Sequence, residues 1–161
     1  MKKVIFAALF SLVTIHSHAA YWIQYNTESK KAKYHYDTDS LVSKKFTSGS
    51  RYLQVWEKSV YNEEQTISER NYSCLSYSLY CSQYTLKKYS EEKTVNYYDC
   101  KNKKLAVGRV LKYNSNGEVV DSSPDYVATS SSASWYETIP DTIGEGKLNE
   151  ICKQEHLAAK S

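Results

Sequence analysis

The chain has 161 residues, with 21 basic against 18 acidic side chains, a formal net charge of +3, and aromatic residues at 14%. That length suits one domain with a single core, and so even a charge balance excludes the strongly basic profile of a nucleic-acid or membrane-surface binder. Sixteen tyrosines against three phenylalanines point instead to rings with one dry side and one wet end.

The N-terminus, "MKKVIFAALFSLVTIHSHAAYW", opens with Lys2 and Lys3. An uncharged apolar run follows from Val4 to Ile15, and then the small residues Ser17 and Ala19. This three-part pattern reads as a secretory signal over residues 1–19, too short for a membrane span. Cleavage is expected after Ala19, with Ala20 as the alternative, leaving one domain over residues 20–161. Without Lys2 and Lys3 the mature charge falls close to neutral. No later segment approaches about twenty apolar residues, so the mature chain is expected to be soluble.

After the signal, "YWIQYN" (21–26) is expected as a first strand. "AKYHYD" (32–37) alternates Ala32, Tyr34 and Tyr36 against Lys33, His35 and Asp37. In "RYLQVWEKSVY" (51–61), Leu53 and Val55 fall on one side and Tyr52, Trp56 and Val60 on the other. That predicts a central strand covered on both faces. Residues 62–92 are polar and tyrosine-bearing, and they read as an irregular excursion returning as a strand near Gln83 to Tyr89. "TVNYYDC" (94–100) and "KLAVGRVLKY" (104–113) follow as strands. Asn116-Gly117 marks a hairpin that leads into "EVV". A serine-rich loop covers 122–134, and "ASWYETI" is a last strand around Trp135. Beyond Pro140 the period changes. Leu148, Ile151 and Cys152 share one helical stripe, Asp141 or Thr142 can cap it, and Gly144 and Gly146 weaken its first turn.

All four cysteines, Cys74, Cys81, Cys100 and Cys152, lie in the exported part. An even count in an oxidising compartment favours two structural disulfides, with three pairings open. A metal site would want a close Cys-x-x-Cys pair or neighbouring histidines, which the chain lacks. Enzyme signals are poor. His35 and His156 are the only histidines after the signal, and neither sits in a nucleophile elbow or a metalloprotease helix. His35, Asp37 and Asp39 alternate, but nothing nearby completes a ligand set. The calcium-loop reading of "DTDSLVSKKFTS" fails because Leu41 and Lys45 stand where oxygen ligands are needed. Neither a cofactor nor a catalytic residue is expected.

The residues "DC" at 99–100, "YNSNGEVV" at 113–120, "WYETIPDT" at 135–142 and "IC" at 151–152 resemble the C-terminal half of the surface-adhesin protein E family of Gram-negative bacteria. "YWIQY", "YHYDTDSL" and "LQVWEK" resemble its N-terminal half. The resemblance implies an α+β fold: a curved antiparallel sheet of about six strands with a C-terminal helix, and a Cys100–Cys152 disulfide stapling that helix to one face. The remaining cysteines would then pair as Cys74–Cys81. It also implies a non-enzymatic binding module that contacts host matrix proteins such as vitronectin or laminin, and that can form a homodimer. This chain departs from the family in lacking a lipid-accepting cysteine after the signal and in adding Cys74 and Cys81. A periplasmic structural or accessory protein of the same fold is therefore the alternative.

With the helix covering one sheet face, binding falls to the other surfaces. Loops on a rigid scaffold are where binding residues collect, which directs attention to the 62–92 segment. Tyr72, Tyr77, Tyr80, Tyr84, Lys87 and Lys88 are its expected partner-binding residues, as an aromatic and lysine surface for protein contacts. Stacking on single-stranded nucleic acid is disfavoured by export and by the near-neutral charge.

Overall fold

The computed structural model describes residues 20–27, 29–71 and 83–160. Among them nine strands build one sheet: β1 Trp22–Gln24, β2 Ala32–Asp37, β3 Val42–Lys45, β4 Arg51–Asn71, β5 Gln83–Asp99, β6 Lys104–Tyr113, β7 Val119–Ser123, β8 Tyr136–Glu137 and β9 Ala159–Lys160. The main path is six strands in the order β1-β2-β4-β5-β6-β7, all antiparallel neighbours. One helix, α1 Ile143–Lys153, follows the last loop. The expected sheet and C-terminal helix are both present. The expected signal, residues 1–19, lies outside the described residues.

Strands β2 and β3 share one side of β4. The first pairs with Glu57 to Tyr61, the second with Arg51 to Gln54. A short helical turn at Thr38–Ser40 makes the corner between them, and Ser40 Oγ accepts the Trp56 N–H that the gap would leave unpaired. At the other end of the sheet, Gly117 takes φ +80° in the β6–β7 turn. A side chain there would strain the backbone, which is the reason for the Asn-Gly pair.

Both faces of the sheet are covered, as the alternation of β4 predicts. Leu53 and Val55 join Tyr25, Tyr36, Tyr98, Leu148 and Ile151 beneath α1. Tyr52 joins Phe46, Val95, Tyr97, Ala106 and Trp135 on the opposite face, under the 124–135 loop. The adjacent Tyr97 and Tyr98 supply one ring to each core because successive strand residues point to opposite faces.

Helix α1 starts at Thr142, whose hydroxyl accepts the Glu145 N–H, while the Glu145 carboxylate accepts the Asp141 N–H. Leu148 and Ile151 are buried, and Cys152 is bonded to Cys100 at the end of β5, closing a separation of 52 residues. The other expected pair, Cys74 with Cys81, lies outside the described residues.

One expectation is corrected. Residues 62–71, expected to be irregular, continue β4: after a bulge over 61–64, residues 65–71 pair regularly with 83–89. Ladder hydrogen bonds come from the backbone, so a polar segment without alternation can still pair when its partner strand is held in register. Threonines and an isoleucine (Thr66, Ile67, Thr85) suit the extended backbone.

Candidate functional site

The β4–β5 pair is longer than the sheet that supports it. Partners from β2 end at Tyr61 and partners from β6 end at Glu91. From Gln65 to Asn71 and from Gln83 to Tyr89 the two strands pair only with each other, forming a two-stranded arm. At its root Tyr61 to Glu64 stand opposite Ser90 alone, a bulge between the Val60–Glu91 and Gln65–Tyr89 pairs. Asn62 secures that bulge through its N–H to Lys31 O and its side chain to Lys30 O. Tyr61 and Tyr89 meet edge to face at 5.4 Å, and the Lys112 ammonium lies 5.3 Å from the Tyr89 ring. Burial, with the charge of Glu92 next, holds the Tyr61 phenol far above its ordinary value.

Cross-strand partners share a face, so the register sorts the arm's side chains. Tyr84, Leu86 and Lys88 lie on one face with Thr66 and Ser68; Lys87 and Ile67 lie on the other. The first face is open to solvent: Tyr84 is 53% exposed and Leu86 69%. On the second face Lys87 pairs with Glu69 at 2.7 Å and donates to Val120 O on β7. That bond fastens the arm across the end of the sheet and occupies an edge carbonyl. Lys88 sits 3.4 Å from Glu64.

The structure thus brings together Tyr84 and Lys88 of the residues predicted from the sequence, and turns Lys87 inward as a brace. Tyr72, Tyr77 and Tyr80 lie in the 72–82 segment, outside the described residues. Leu86 belongs to the exposed face although sequence reading passed over it. Its alternation with Tyr84 and Lys88 was the available signal.

The titratable groups elsewhere have structural duties. Glu57 is fully buried beneath α1, in phase with Leu53 and Val55. It accepts hydrogen bonds from the Tyr25 and Tyr98 hydroxyls and from Lys147 Nζ at 2.6 Å. Burial first, then the Glu57 charge, pushes both phenols well above their ordinary value. Lys147 also lies 4.5 Å from the Tyr34 ring, so its ammonium exchanges water for a carboxylate and an aromatic face. Asp37, which the sequence placed beside His35 and Asp39, accepts the Tyr21 and Asp39 N–H groups and so shapes the β2 corner. Burial and the Lys58 charge push the His35 imidazole below its ordinary value. No group of three or more His, Cys, Asp or Glu placed to hold a metal occurs among the described residues. None of their helices is long and apolar enough to cross a membrane.

On the face away from α1, the Tyr97 hydroxyl donates to Asp125 and Trp135 Nε1 donates to Ala128 O, pinning the 124–135 loop. A family model described as surface-adhesin protein E matches residues 22–153, from the first residue of β1 to the last of α1. No curated protein and no solved structure matches the chain.

Proposed function

Since the chain belongs to the surface-adhesin protein E family, we propose that it is an exported, non-enzymatic binding module that contacts host matrix or cell-surface proteins through the β4–β5 arm. The observation that carries this reading is the arm's outward face. Tyr84, Leu86 and Lys88 stand in a row on a segment of β5 that adds nothing to either core. An apolar and aromatic row beside a cation suits a protein contact, where aromatic side chains supply most of the energy. The root is fastened by Tyr61, Tyr89, Lys112 and Lys87, so the row is presented on a braced ribbon, which lowers the ordering cost of binding. The 72–82 segment, with Tyr72, Tyr77, Tyr80 and the expected Cys74–Cys81 pair, would extend this surface. Residues 1–19 would direct export, and vitronectin and laminin are the partners to try first.

The test is a solid-phase binding assay with oxidised mature protein on immobilised vitronectin, laminin and whole envelope extract. Tyr84→Ser/Leu86→Ser and Tyr77→Ser/Tyr80→Ser should each keep the wild-type melting temperature and lose binding by about tenfold or more. Unchanged binding in both variants would place the contact elsewhere. Protease treatment of intact cells separates the two destinations: an arm cleaved only after the outer membrane is opened would make the protein a periplasmic accessory instead.

A further inference from the structure

The edge of β6 is paired at both ends and bare in the middle. Strand β8 pairs with Lys104 and Leu105, and β7 with Val110 to Tyr113; residues Ala106 to Arg109 pair with neither. A notch of about 380 Å³ opens beside this stretch, walled by Val107, Pro124, Tyr126, Trp135 and Tyr136. Two of its walls project far into solvent, Tyr126 at 86% exposed and Tyr136 at 72%, and Val107 is half exposed. Apolar side chains gathered beside an unpaired strand edge are a combination that monomeric proteins usually avoid.

The notch is built rigidly. A Cβ on Gly108 would lie 2.7 Å from the Tyr97 ring and 2.8 Å from the Asp125 carboxylate. The strand therefore runs flush against the pair that pins the loop. Trp135 is itself buried in the second core, packed on Phe46 and Tyr52. Cations flank the bare edge: Arg109 at one end, Lys101, Lys103 and Lys104 at the other. Arg109 is exposed and forms no ion pair among the described residues, while Lys104 reaches Glu137 only at 3.9 Å. The Asp125 carboxylate, held by Tyr97 and the Val127 N–H, and the exposed Glu137 keep their negative charge, so the four flanking cations outnumber the acids beside the edge by two.

We propose that this edge docks an extended, acidic peptide segment of a partner protein, which adds a short strand to β6 between β8 and β7. Main-chain groups of Ala106 to Arg109 would pair with the incoming backbone, an apolar side chain would enter the notch between Tyr126 and Tyr136, and flanking carboxylates would meet Arg109 and the lysines. The site is separate from the β4–β5 arm and does not depend on what the arm binds.

The probe is a fluorescein-labelled octapeptide of alternating glutamate and valine, followed by anisotropy. It is compared with an N-methylated version that cannot donate to the edge and with a lysine-for-glutamate version. Wild-type protein should bind the acidic peptide, and the N-methylated and lysine peptides should bind at least about tenfold more weakly. Arg109→Glu should cost about tenfold and Tyr126→Ser/Tyr136→Ser more, while Tyr84→Ser/Leu86→Ser should change nothing. No binding at millimolar peptide, equal binding of the N-methylated peptide, or full binding by Arg109→Glu would each overturn the proposal. Concentration-dependent dimerisation lost in Val107→Glu would assign the edge to a second copy of the chain and overturn it as well.

Discussion

Glu57 shows how one residue can hold two elements. A carboxylate with no exposed surface is tolerable only when its oxygens are satisfied, and here two phenols and the α1 ammonium do so. Lys147→Met should therefore destabilise the protein by about 3–5 kcal/mol, because it leaves the anion buried with hydroxyl donors alone. Urea unfolding at neutral pH reads this out, and a loss under about 1 kcal/mol would mean that water reaches the carboxylate. Asp99 makes a second, pH-dependent case. Burial pushes its carboxyl up, but the Ser132 hydroxyl, the Asn102 side chain and the N–H groups of Asn102 and Lys101 together hold it below its ordinary value of 3.8. A depressed carboxyl adds stability above its unfolded pKa and loses it as pH falls through the folded value. Ser132→Ala removes one of those donors. The stability gap between wild type and Ser132→Ala should be full at pH ~6 and narrow below pH ~4. Chemical denaturation across that range checks it, and a gap independent of pH would assign the loss to packing.

At the scale of elements, α1 is short and carries two glycines, so its place depends on what fastens it. Reducing Cys100–Cys152 reopens a 52-residue separation, which the chain-entropy model values at about 4 kcal/mol. Leu148→Ala should cost about 2–5 kcal/mol by leaving a cavity under the helix. Both losses should appear in thermal melts, and hydrogen exchange after reduction should show the α1 amides opening before those of β4 and β5. Protection of α1 unchanged by reduction would mean that the Glu57–Lys147 pair and the apolar stripe suffice. Gly108 tests the opposite face. Gly108→Ala forces a methyl onto Tyr97 and Asp125, and it should cost about 1–3 kcal/mol through overpacking. A neutral outcome in the same melts would show that the 124–135 loop yields freely.

For the molecule as a whole, the abundance of tyrosine has a measurable consequence. Tyr25 and Tyr98 in the first core, Tyr97 in the second and Tyr61 at the arm root all have phenols raised above the ordinary value, in each case by burial first. A group whose folded pKa is raised stabilises the fold below its unfolded value near 10 and loses that contribution as pH rises beyond it. Alkaline titration should therefore show part of the tyrosinate absorbance appearing only together with the loss of near-ultraviolet circular dichroism. Complete ionisation with the dichroism intact would mean that the cores admit hydroxide without unfolding.

Much of this was readable from residue order alone. The alternation in 32–37, the two apolar faces of 51–61 and the Asn-Gly turn determined those strands, because side-chain direction in a strand is set locally. The 3.6-residue spacing of Leu148, Ile151 and Cys152 determined the helix and its inward stripe in the same way. The tyrosine excess suggested rings with one wet end, but Tyr25, Tyr36, Tyr52, Tyr97 and Tyr98 are buried outright. Partners such as Glu57 and Asp125 take the place of water at the hydroxyls of Tyr25, Tyr98 and Tyr97. What only the tertiary structure decided were relations between distant segments. The polar stretch 65–71 became a strand because 83–89 pairs with it, a choice that its own side chains do not encode. Nothing in "VWEK" marks Glu57 as a buried charge; Lys147, 90 residues away, closes over it only in the folded chain. The bare edge of β6 exists only because β7 and β8, the two strands joined by the 124–135 loop, stop short of each other along it. Local periodicity says which way a side chain points; only packing says what waits there, because contact energies depend on partners that the chain brings together after it folds.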